Sequence, residues 1–335
     1  MTENRIEIVP SEQAGELKPD LLRLVPGPLR SCGQAVTAHT RAEYWLDEIR
    51  ADLEAPSSEL LLARPRGRTA GLAVLADLGW ESRVLGRRMK GIRHLAAAGD
   101  PSERAPVLDR LVHEAVRLAE EKGVECLVHR CPADDAPAIH ALERRGFLLM
   151  DTLMDYVVNL EIAGKSLTVP LPPPGVRIRL AEAKDVDALV EVSRRAFAGH
   201  FGRFHADERI LREDAVRVYE EWIRSCAGGW ADWVLVADAA GTVAGYTAWK
   251  KTSALERRHG IELAHFSIGA VAPEHAATGL FSAMTGEGMR LMMEHARRIE
   301  GPMHVSQVPV QRAFAALGWR VAGSRHGFHR WSKSA

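Results

Sequence analysis

The sequence feature that most constrains the fold is an internal repeat with a nearly constant offset. The matched pairs at 172 residues are Ile6 and Ile178, Gly146 and Gly318, and Tyr156 and Phe328, and those at 174 residues are Gly67 and Gly241, and Gly71 and Gly245. Such an offset indicates one fold that occurs twice rather than two unrelated domains. Between the repeats, residues 164–175 contain four prolines and two glycines, which is typical of a semi-rigid linker. We therefore predict one domain at 1–163 and a second at 176–335.

Each half predicts the element order β-α-α-β-β-β-α-β-α-β. In the first half, two apolar runs at 60–63 and 70–75 flank Pro and Gly and predict a hairpin. Residues 106–122 carry the apolar stripe of an amphipathic helix, and residues 146–160 predict a pair of short strands. In the second half, a strand is expected at 303–307. This order predicts an α/β (α+β) fold with two tandem domains, each a mixed, mostly antiparallel sheet with helices on both faces.

Composition excludes several classes of partner. The chain has 335 residues with 44 basic and 44 acidic side chains, so its formal net charge is zero. A neutral chain has no general attraction to nucleic acid or to an anionic membrane surface. No apolar run approaches the ~20 residues that span a bilayer, and residues 1–13 lack the apolar core of a signal peptide. We expect a cytoplasmic protein without a nucleic-acid or membrane partner.

Cysteine and histidine spacing predicts no metal site. The four cysteines form no CxxC pair, and His326 and His329 have no third ligand nearby in the sequence. We expect the cysteines to be reduced thiols that serve in packing.

Residues 261–292 predict a strand, a short loop and a helix. Phe266 and its apolar neighbours fit a buried strand, and Pro273 ends it because proline has no N–H to donate to a neighbouring strand. From Phe281 onward, apolar residues recur mostly at three- and four-residue steps, which is typical of a helix. Backbone N–H groups at a helix N-terminus bind anions, and Gly279, which has no Cβ, lets a phosphate approach.

This arrangement resembles the acyl-CoA motif of the GNAT superfamily of N-acetyltransferases. In that family a V-x-P-E strand end precedes a Q/R-x-x-G-x-G/A loop that holds the pyrophosphate of acetyl-CoA; here residues 271–274 read VAPE and residues 276–281 read AATGLF. Gly279 matches the loop, whereas Ala276 stands for its basic or amide residue and Phe281 for its last glycine. The resemblance implies acetyl-CoA, or another acyl-CoA, as cofactor. The cofactor-binding residues that it implies are Gly269, Val271, Ala276, Ala277, Thr278, Gly279, Leu280, Phe281 and Phe314.

The first half offers a comparison, because its counterpart of this loop is residues 100–107. That segment has no glycine near the helix start, and Asp100 and Glu103 place two carboxylates there. Carboxylates repel a pyrophosphate. We predict that the first half does not bind CoA and serves as a scaffold and one wall of the substrate cleft.

A second resemblance covers nearly the whole chain. Residues 200–210 (HFGRFHADERI) and 219–223 (YEEWI) are similar to the R-F-x-x-D-x-x-I and Y-x-x-W-I signatures of TDP-fucosamine acetyltransferase and its relatives, which share the two-half layout. The resemblance implies an amino-sugar type of acceptor. Arg203 and His205 are the candidate acceptor-binding residues, since Arg can hold a carboxylate or phosphate with two hydrogen bonds. A surface position is the alternative for Arg203, and the aromatic side chains of 219–223 are expected in the core.

Acetyl transfer to an amine requires a base, and Glu262 and His265 are the candidates. His265 has the more suitable unperturbed pKa, and Glu262 stands where several family members place a carboxylate base. The alternatives are a solvated strand start for Glu262 and a hydrogen-bonded core imidazole for His265. Because the two residues are three apart, strand alternation sends them to opposite faces unless a bulge intervenes.

The acid that the resemblance implies is replaced in this chain. The family places a tyrosine in N-x-x-A-x-x-x-Y, where Gln307 stands for the Asn, Val310 for the Ala and Phe314 for the Tyr. Phe cannot donate a proton, so water or another group must protonate the leaving thiolate, or the chemistry differs. A free thiol has a pKa of about 8.5, so loss of the acid slows the transfer without forbidding it.

We expect an acyl-CoA-dependent N-acyltransferase, with acetyl as the first choice, that acts on the amine of a small molecule such as an amino sugar or a natural-product intermediate. Two alternatives stay open. One is a non-catalytic binding or regulatory module that keeps the fold, as the substitutions at Ala276, Phe281 and Phe314 suggest. The other is an enzyme with altered acyl-CoA chemistry, such as a longer acyl donor beside Phe314. A monomer and a homodimer both fit the sequence.

Overall fold

The structure is a computed structural model of the chain, and it describes residues 6–9, 14, 17–164 and 167–332. Three residues with a predicted place, Arg5 in the first strand and Lys165 and Ser166 in the linker, lie outside the described residues. The strands are β1 (Ile6–Val9), β2 (Leu24–Val25), β3 (Glu59–Ala63), β4 (Gly71–Asp77), β5 (Met89–Ala98), β6 (Cys126–Pro132), β7 (Leu148–Asn159), β8 (Val176–Leu180), β9 (Trp233–Ala239), β10 (Thr242–Lys250), β11 (Leu263–Val271), β12 (Arg298–His304) and β13 (Arg320–Trp331). The α-helices are α1 (Lys18–Leu21), α2 (Ala38–Asp52), α3 (Gly79–Leu85), α4 (Pro101–Glu121), α5 (Ala136–Arg144), α6 (Leu160–Ala163), α7 (Val186–Phe197), α8 (Arg203–Ala206), α9 (Arg212–Ser225), α10 (Ala254–Arg258), α11 (Leu280–Met292) and α12 (Val308–Ala316).

The chain divides into two compact units, residues 1–152 together with 324–335, and residues 153–323. These units differ from the boundaries predicted at 163 and 176. The physical reason is strand pairing: residues 153–159 of β7 pair with β12, whereas residues 325–331 of β13 pair with β6.

The first unit is a mixed sheet in the order β1-β3-β4-β5-β6-β13. Only β5 and β6 run parallel, and the other pairs in that order are antiparallel. Successive side chains of β3 point to opposite faces of the sheet. Leu61 packs in the core formed with α4 and α5, and Leu60 and Leu62 pack in a second core formed with α1 and α2. The hairpin predicted around residues 64–69 joins β3 to β4.

The second unit repeats this pattern in the order β7-β12-β11-β10-β9-β8, again with one parallel pair, β11 and β12. Helices α7 and α9 cover one face, and α11 and α12 cover the other. The predicted α/β class, with two mixed, mostly antiparallel sheets and helices on both faces, is confirmed.

Three predicted element bounds are wrong, for identifiable reasons. Helix α4 begins at Pro101 rather than residue 106, because the Asp100 carboxylate caps it and proline is favoured at the first helical position. Strand β7 is one continuous strand of 12 residues rather than a pair of short ones. Strand β12 runs over Arg298–His304 rather than 303–307. Gly301 and Pro302 are poor strand formers, so pairing with the neighbours β7 and β11 specifies this strand rather than its own sequence.

In the described part of the chain, no helix is both long enough and apolar enough to cross a membrane. The four cysteines are buried, and no disulfide joins them. Within the same residues, no group of three or more His, Cys, Asp or Glu side chains is arranged to hold a metal ion.

Candidate active site in the second unit

Strand β11 carries a β-bulge in its middle. Ala248 lies opposite Ile268 and Trp249 lies opposite Phe266, so Ser267 is the extra residue. Its side chain faces α9, where the Trp222 indole Nε1 donates to Ser267 Oγ at 3.1 Å. The Phe266 ring packs on Trp249 with the ring centroids 5.1 Å apart, in the core covered by α11 and α12. The bulge lies between His265 and Gly269, so it does not change the relative orientation of Glu262 and His265.

Beyond the bulge, β11 separates from its parallel neighbour. The ladder between β11 and β12 ends at the pair His265 and Glu300, and within the described residues no later residue of β11 pairs with β12. Strand β10, on the other side, pairs with β11 as far as Val271. The edge of residues 266–271 that faces β12 therefore presents backbone N–H and C=O groups outside any ladder.

The loop after β11 leads into an open helix N-terminus. Residues 276–279 are exposed, Ala277 has a φ of 59° and Gly279 has a φ of 81°, and α11 begins at the next residue without a side-chain cap. The Thr278 hydroxyl donates to the His275 carbonyl oxygen at 2.7 Å and stabilises the turn. Among the described residues, no acceptor is bonded to the N–H groups of 277–282. These donors, with the positive end of the helix dipole, suit a phosphate group.

Phe281 does not fill this loop. Its ring packs inward against the strand, since a Cβ on Gly269 would lie 3.1 Å from Phe281 Cε2 and 3.0 Å from Phe266 Cζ. In contrast, a Cβ on Gly279 would have no atom within 4 Å. Val271 packs beside the buried Leu280 at the start of α11. The bulky replacement of the family's last glycine therefore leaves the space in front of the loop open.

Phe314 lies at the centre of an aromatic cluster, which we define as Tyr156, Phe266, Phe281, Phe314 and Trp319. Phe314 is fully buried, and its ring centroid is 4.3 Å from that of Trp319, 5.4 Å from Phe266, 5.6 Å from Tyr156 and 6.2 Å from Phe281. Together with Gly269, the cluster forms an apolar wall beside the open edge of β11.

In the described residues of the first unit, side chains of the unit itself bond to backbone groups at both equivalent positions. At the start of α4, Asp100 accepts hydrogen bonds from the N–H groups of Ser102 and Glu103, and Glu103 accepts one from Asp100, so the unit's own carboxylates occupy the anion-binding donors. At the parallel pair, the ladder ends at Gly91 and Val128, and the next residue of β6, His129, donates from Nδ1 to the Ile92 carbonyl oxygen at 2.6 Å. Burial lowers the pKa of His129, so the ring is neutral.

Of the two candidate bases, Glu262 is not brought to the loop. It precedes β11 at the surface, and its Oε2 pairs with Arg297 Nε at 2.6 Å. Seven residues of extended strand separate Glu262 from Gly269, which corresponds to roughly 23 Å.

His265 is held as a cation. Its Nε2 lies 2.7 Å from Glu256 Oε1 and its Nδ1 lies 3.2 Å from Glu300 Oε1. Burial acts against the charged ring, but the hydrogen bonds and charges of the two carboxylates prevail and raise the pKa of His265 to about 9. The same contact lowers the pKa of the buried Glu256 carboxyl group, against its burial. At neutral pH this imidazole has no lone pair to accept a proton.

The ion triad of His265, Glu256 and Glu300 makes stability depend on pH. Since the folded-state pKa lies above the unfolded value of about 6.5, the stabilisation is complete below pH 6.5 and is lost as pH rises through about 9. We expect His265→Gln to lower the free energy of unfolding at pH 6 by up to about 3 kcal/mol more than at pH 9.5. Urea unfolding at both pH values measures this difference, and an equal cost at both would contradict it.

Arg203 and His205 lie on the short helix α8. The Arg203 guanidinium stacks over the Phe204 ring at 4.3 Å from its centroid. Both ring nitrogens of His205 are buried and have no hydrogen bond of good geometry. Burial and the Arg212 charge lower the pKa of His205, although the Phe197 carbonyl acts in the opposite direction.

The structure groups further polar rings with His205 that the sequence analysis did not propose as site residues. The His205 ring centroid lies 5.6 Å from that of Tyr219 and 5.8 Å from that of His200, and the His200 ring lies 5.9 Å from His304 at the end of β12. The Gln307 amide donates to His200 Nδ1 at 3.2 Å. Because His200 and His304 are about a hundred residues apart in sequence, no local pattern relates them. Tyr219 is 7% exposed, as predicted for a core position.

Two curated proteins are similar to this chain in sequence. The spore coat polysaccharide biosynthesis protein SpsD of Bacillus subtilis (strain 168) is 25% identical over 206 residues, which cover 61% of this chain and 66% of that protein, slightly less than two thirds of its length. The mycothiol acetyltransferase of Actinosynnema mirum is 28% identical over 272 residues, which cover 79% of this chain and 81% of that protein. No family model matches the chain.

Solved structures of N-acetyltransferases share the fold. The GCN5-related N-acetyltransferase from Sphaerobacter thermophilus superposes with a TM-score of 0.64 at 14% identity, over 98% of this chain and 95% of that chain. The tandem GNAT protein from the clavulanic acid biosynthesis pathway gives a TM-score of 0.59 at 16% identity, over 98% of each chain. At these identities the likeness concerns the fold. With its repeated sheet, the separated parallel pair and the uncapped helix that follows it, the chain is a tandem GNAT-fold protein.

Proposed function

We propose that this protein is an acyl-CoA-dependent N-acyltransferase, acetyl-CoA being the first donor to test, and that its single CoA site lies in the second unit. The observation that carries the proposal is the contrast between two equivalent helix starts. Among the described residues, the N–H groups at the start of α11 are bonded to no acceptor and follow an exposed loop, whereas N–H groups at the start of α4 are bonded to Asp100.

The residues around α11 fit a pyrophosphate without a basic side chain. Ala276 contributes no charge, so the N–H groups of 277–282 and the helix dipole would hold the phosphates. Glu274, a carboxylate beside the loop, is neutralised by two hydrogen bonds from Arg195 at 2.6 and 3.1 Å. That guanidinium holds the pKa of Glu274 below its usual range. The pantetheine arm of CoA carries amide groups on an apolar chain. Its amides would bond to the open edge of β11 at Gly269 and Val271, and its apolar part would lie against the aromatic wall.

When bound, acyl-CoA supplies an activated thioester for transfer to an amine. The N–H groups of the open β11 edge near the bulge would donate to the thioester oxygen as negative charge develops on it. His205, whose pKa is lowered by burial and by the Arg212 charge, would line the acceptor side of the site together with Arg203. We do not assign Glu262 or His265 as the base in this proposal, since the first is roughly 23 Å along the strand from Gly269 and the second is a cation with a pKa of about 9.

We propose a small-molecule amine as acceptor. One relative is named a mycothiol acetyltransferase, and the name of the Bacillus subtilis relative refers to polysaccharide biosynthesis. Both names favour starting the acceptor screen with amino sugars. Arg203 and His205 are the first residues of the protein to replace in that screen.

A thermal-shift experiment with acetyl-CoA, malonyl-CoA, longer acyl-CoAs and free CoA tests the proposal. A ligand at ~100 times its dissociation constant stabilises the folded state by about 2.7 kcal/mol, which is readily measured. We expect acetyl-CoA to raise the melting temperature. A preference for a longer acyl-CoA would favour altered acyl chemistry, for which the aromatic wall is the supporting observation. The absence of a shift with every CoA ligand would favour the non-catalytic binding module.

A further inference from the structure

Phe314 leaves the second unit without a hydroxyl group at the centre of its aromatic cluster. The side chain is fully buried, and its ring packs against the four other rings of the cluster. One member of the cluster, Tyr156, does carry a hydroxyl, and it comes from β7 rather than from α12. Tyr156 lies directly opposite Gly301 of β12 in the antiparallel ladder, and it is 6% exposed.

The Tyr156 hydroxyl points to the same helix that carries Phe314. It donates to Gln311 Oε1 at 3.3 Å, and Gln311 precedes Phe314 by one turn of α12. The Gln311 amide is itself oriented, because its Nε2 donates to the carbonyl oxygens of His304 at 3.2 Å and Val305 at 2.8 Å. The Oε1 atom is thereby turned toward Tyr156. A distance of 3.3 Å is long for an O–H donor. The hydrogen bond to Gln311 therefore orients the Tyr156 hydroxyl but holds its proton only weakly.

The cluster connects this hydroxyl to the open edge of β11. Glycine at 301 leaves room for the Phe266 side chain, whose Cβ would lie 3.0 Å from a Cβ at that position. Phe266 is the first residue of β11 beyond the ladder with β12, and its ring packs against Phe314. Tyr156 and the separated strands therefore share one aromatic wall.

We propose that Tyr156 donates the proton to the departing CoA thiolate, in place of the hydroxyl that Phe314 lacks; this inference rests on the proposed function. As the bond from the amine nitrogen to the acyl carbon forms, the carbon–sulfur bond of the thioester breaks, and the sulfur takes the phenolic proton of Tyr156. The amine loses one proton to solvent, and the phenolate regains one from solvent. Atoms and charge balance without a further reactant.

The test uses free CoA bound to the whole protein, so it does not depend on the identity of the acceptor. The thiolate absorbance of bound CoA is followed against pH, with the complex of desulfo-CoA as the blank. A hydrogen bond from Tyr156 stabilises the thiolate, so the thiol pKa of bound CoA is expected to rise by about one unit in Tyr156→Phe. Adding Phe314→Tyr to that variant is expected to restore the wild-type value.

Tyr246→Phe is the matched control, since Tyr246 is a fully buried tyrosine of this unit that packs in the core with α7 and α9. It is expected to leave the thiol pKa unchanged. An unchanged thiol pKa in Tyr156→Phe, or an equal rise in Tyr246→Phe, would overturn the inference while the CoA site stands. If free CoA gives no thermal shift with the wild-type protein, the proposed function fails first, and the inference fails with it.

Discussion

Replacing Gly279 with valine is expected to abolish the thermal shift with acetyl-CoA, with a loss of affinity of at least a hundredfold. At a φ of 81°, glycine is the residue that adopts this conformation without strain, and a β-branched side chain is strongly disfavoured there. A valine would also place two methyl groups in the space in front of the unbonded N–H groups, where no protein atom lies within 4 Å of a Cβ position. Isothermal titration with acetyl-CoA measures the loss.

Gly241→Val is the matched control for this substitution. Gly241 has a φ of 91°, is exposed in the turn between β9 and β10 of the same unit, and likewise has open space at its Cβ position. Both variants should lose a similar 1 to 2 kcal/mol, roughly, through backbone strain. Only Gly279→Val is expected to lose acetyl-CoA binding. Equal acetyl-CoA affinity in the two variants would show that the N-terminus of α11 does not bind acetyl-CoA.

The largest loss of stability is expected from Asp135→Ala in the first unit. Asp135 Oδ2 lies 2.6 Å from Arg104 Nη2, and the side chains are 5% and 11% exposed. Without the carboxylate, the Arg104 guanidinium still donates to the Val25 carbonyl oxygen at 3.1 Å, but its charge stays buried without a counter-charge from Asp135. Asp135 also caps α5 by accepting from the Ala138 N–H. Removal of one partner of such a pair costs about 3 to 5 kcal/mol.

The neighbouring residue provides the control for Asp135→Ala. Asp134 accepts two hydrogen bonds from the Arg30 guanidinium, at 2.7 and 3.0 Å, but its side chain is 71% exposed. An exposed pair contributes about 0 to 1 kcal/mol, so Asp134→Ala should change the free energy of unfolding by no more than that. Urea unfolding of both variants decides the matter, and similar costs for the two would show that burial is not what makes the Asp135 pair strong.

The features that could be predicted from the sequence are those that depend on residues close to one another along the chain. The repeat, the hairpins, the strand and helix on either side of Gly279, and the carboxylates at the start of α4 all follow from short-range chemistry. The loop was identified because proline, small residues and glycine follow one another within a few positions of Pro273. The carboxylates of Asp100 and Glu103 are visible in the same way, but the capping box that they form was not predicted, and the predicted start of α4 is late for that reason.

What could not be predicted depends on pairing between distant segments. The bulge at Ser267 exists only relative to β10, and the end of the ladder at His265 exists only relative to β12. His265 looked like a candidate base because nothing local shows that Glu256 and Glu300 enclose it. Likewise, Tyr156 and Gln311 are more than 150 positions apart, so only the fold brings a hydroxyl to the wall around Phe314.

The strand pairing of residues 325–331 has a consequence for the order in which the chain folds. These residues form an edge of the first unit's sheet, where Phe328 is 1% exposed in the core and Arg330 binds Glu120. A ribosome makes residues 1–152 first, but the sheet they form lacks this strand until almost all of the second unit has been made. The sheet of the first unit is therefore completed only when residues 325–331 have been made. Until then, the edge of β6 that pairs with β13 stays unpaired.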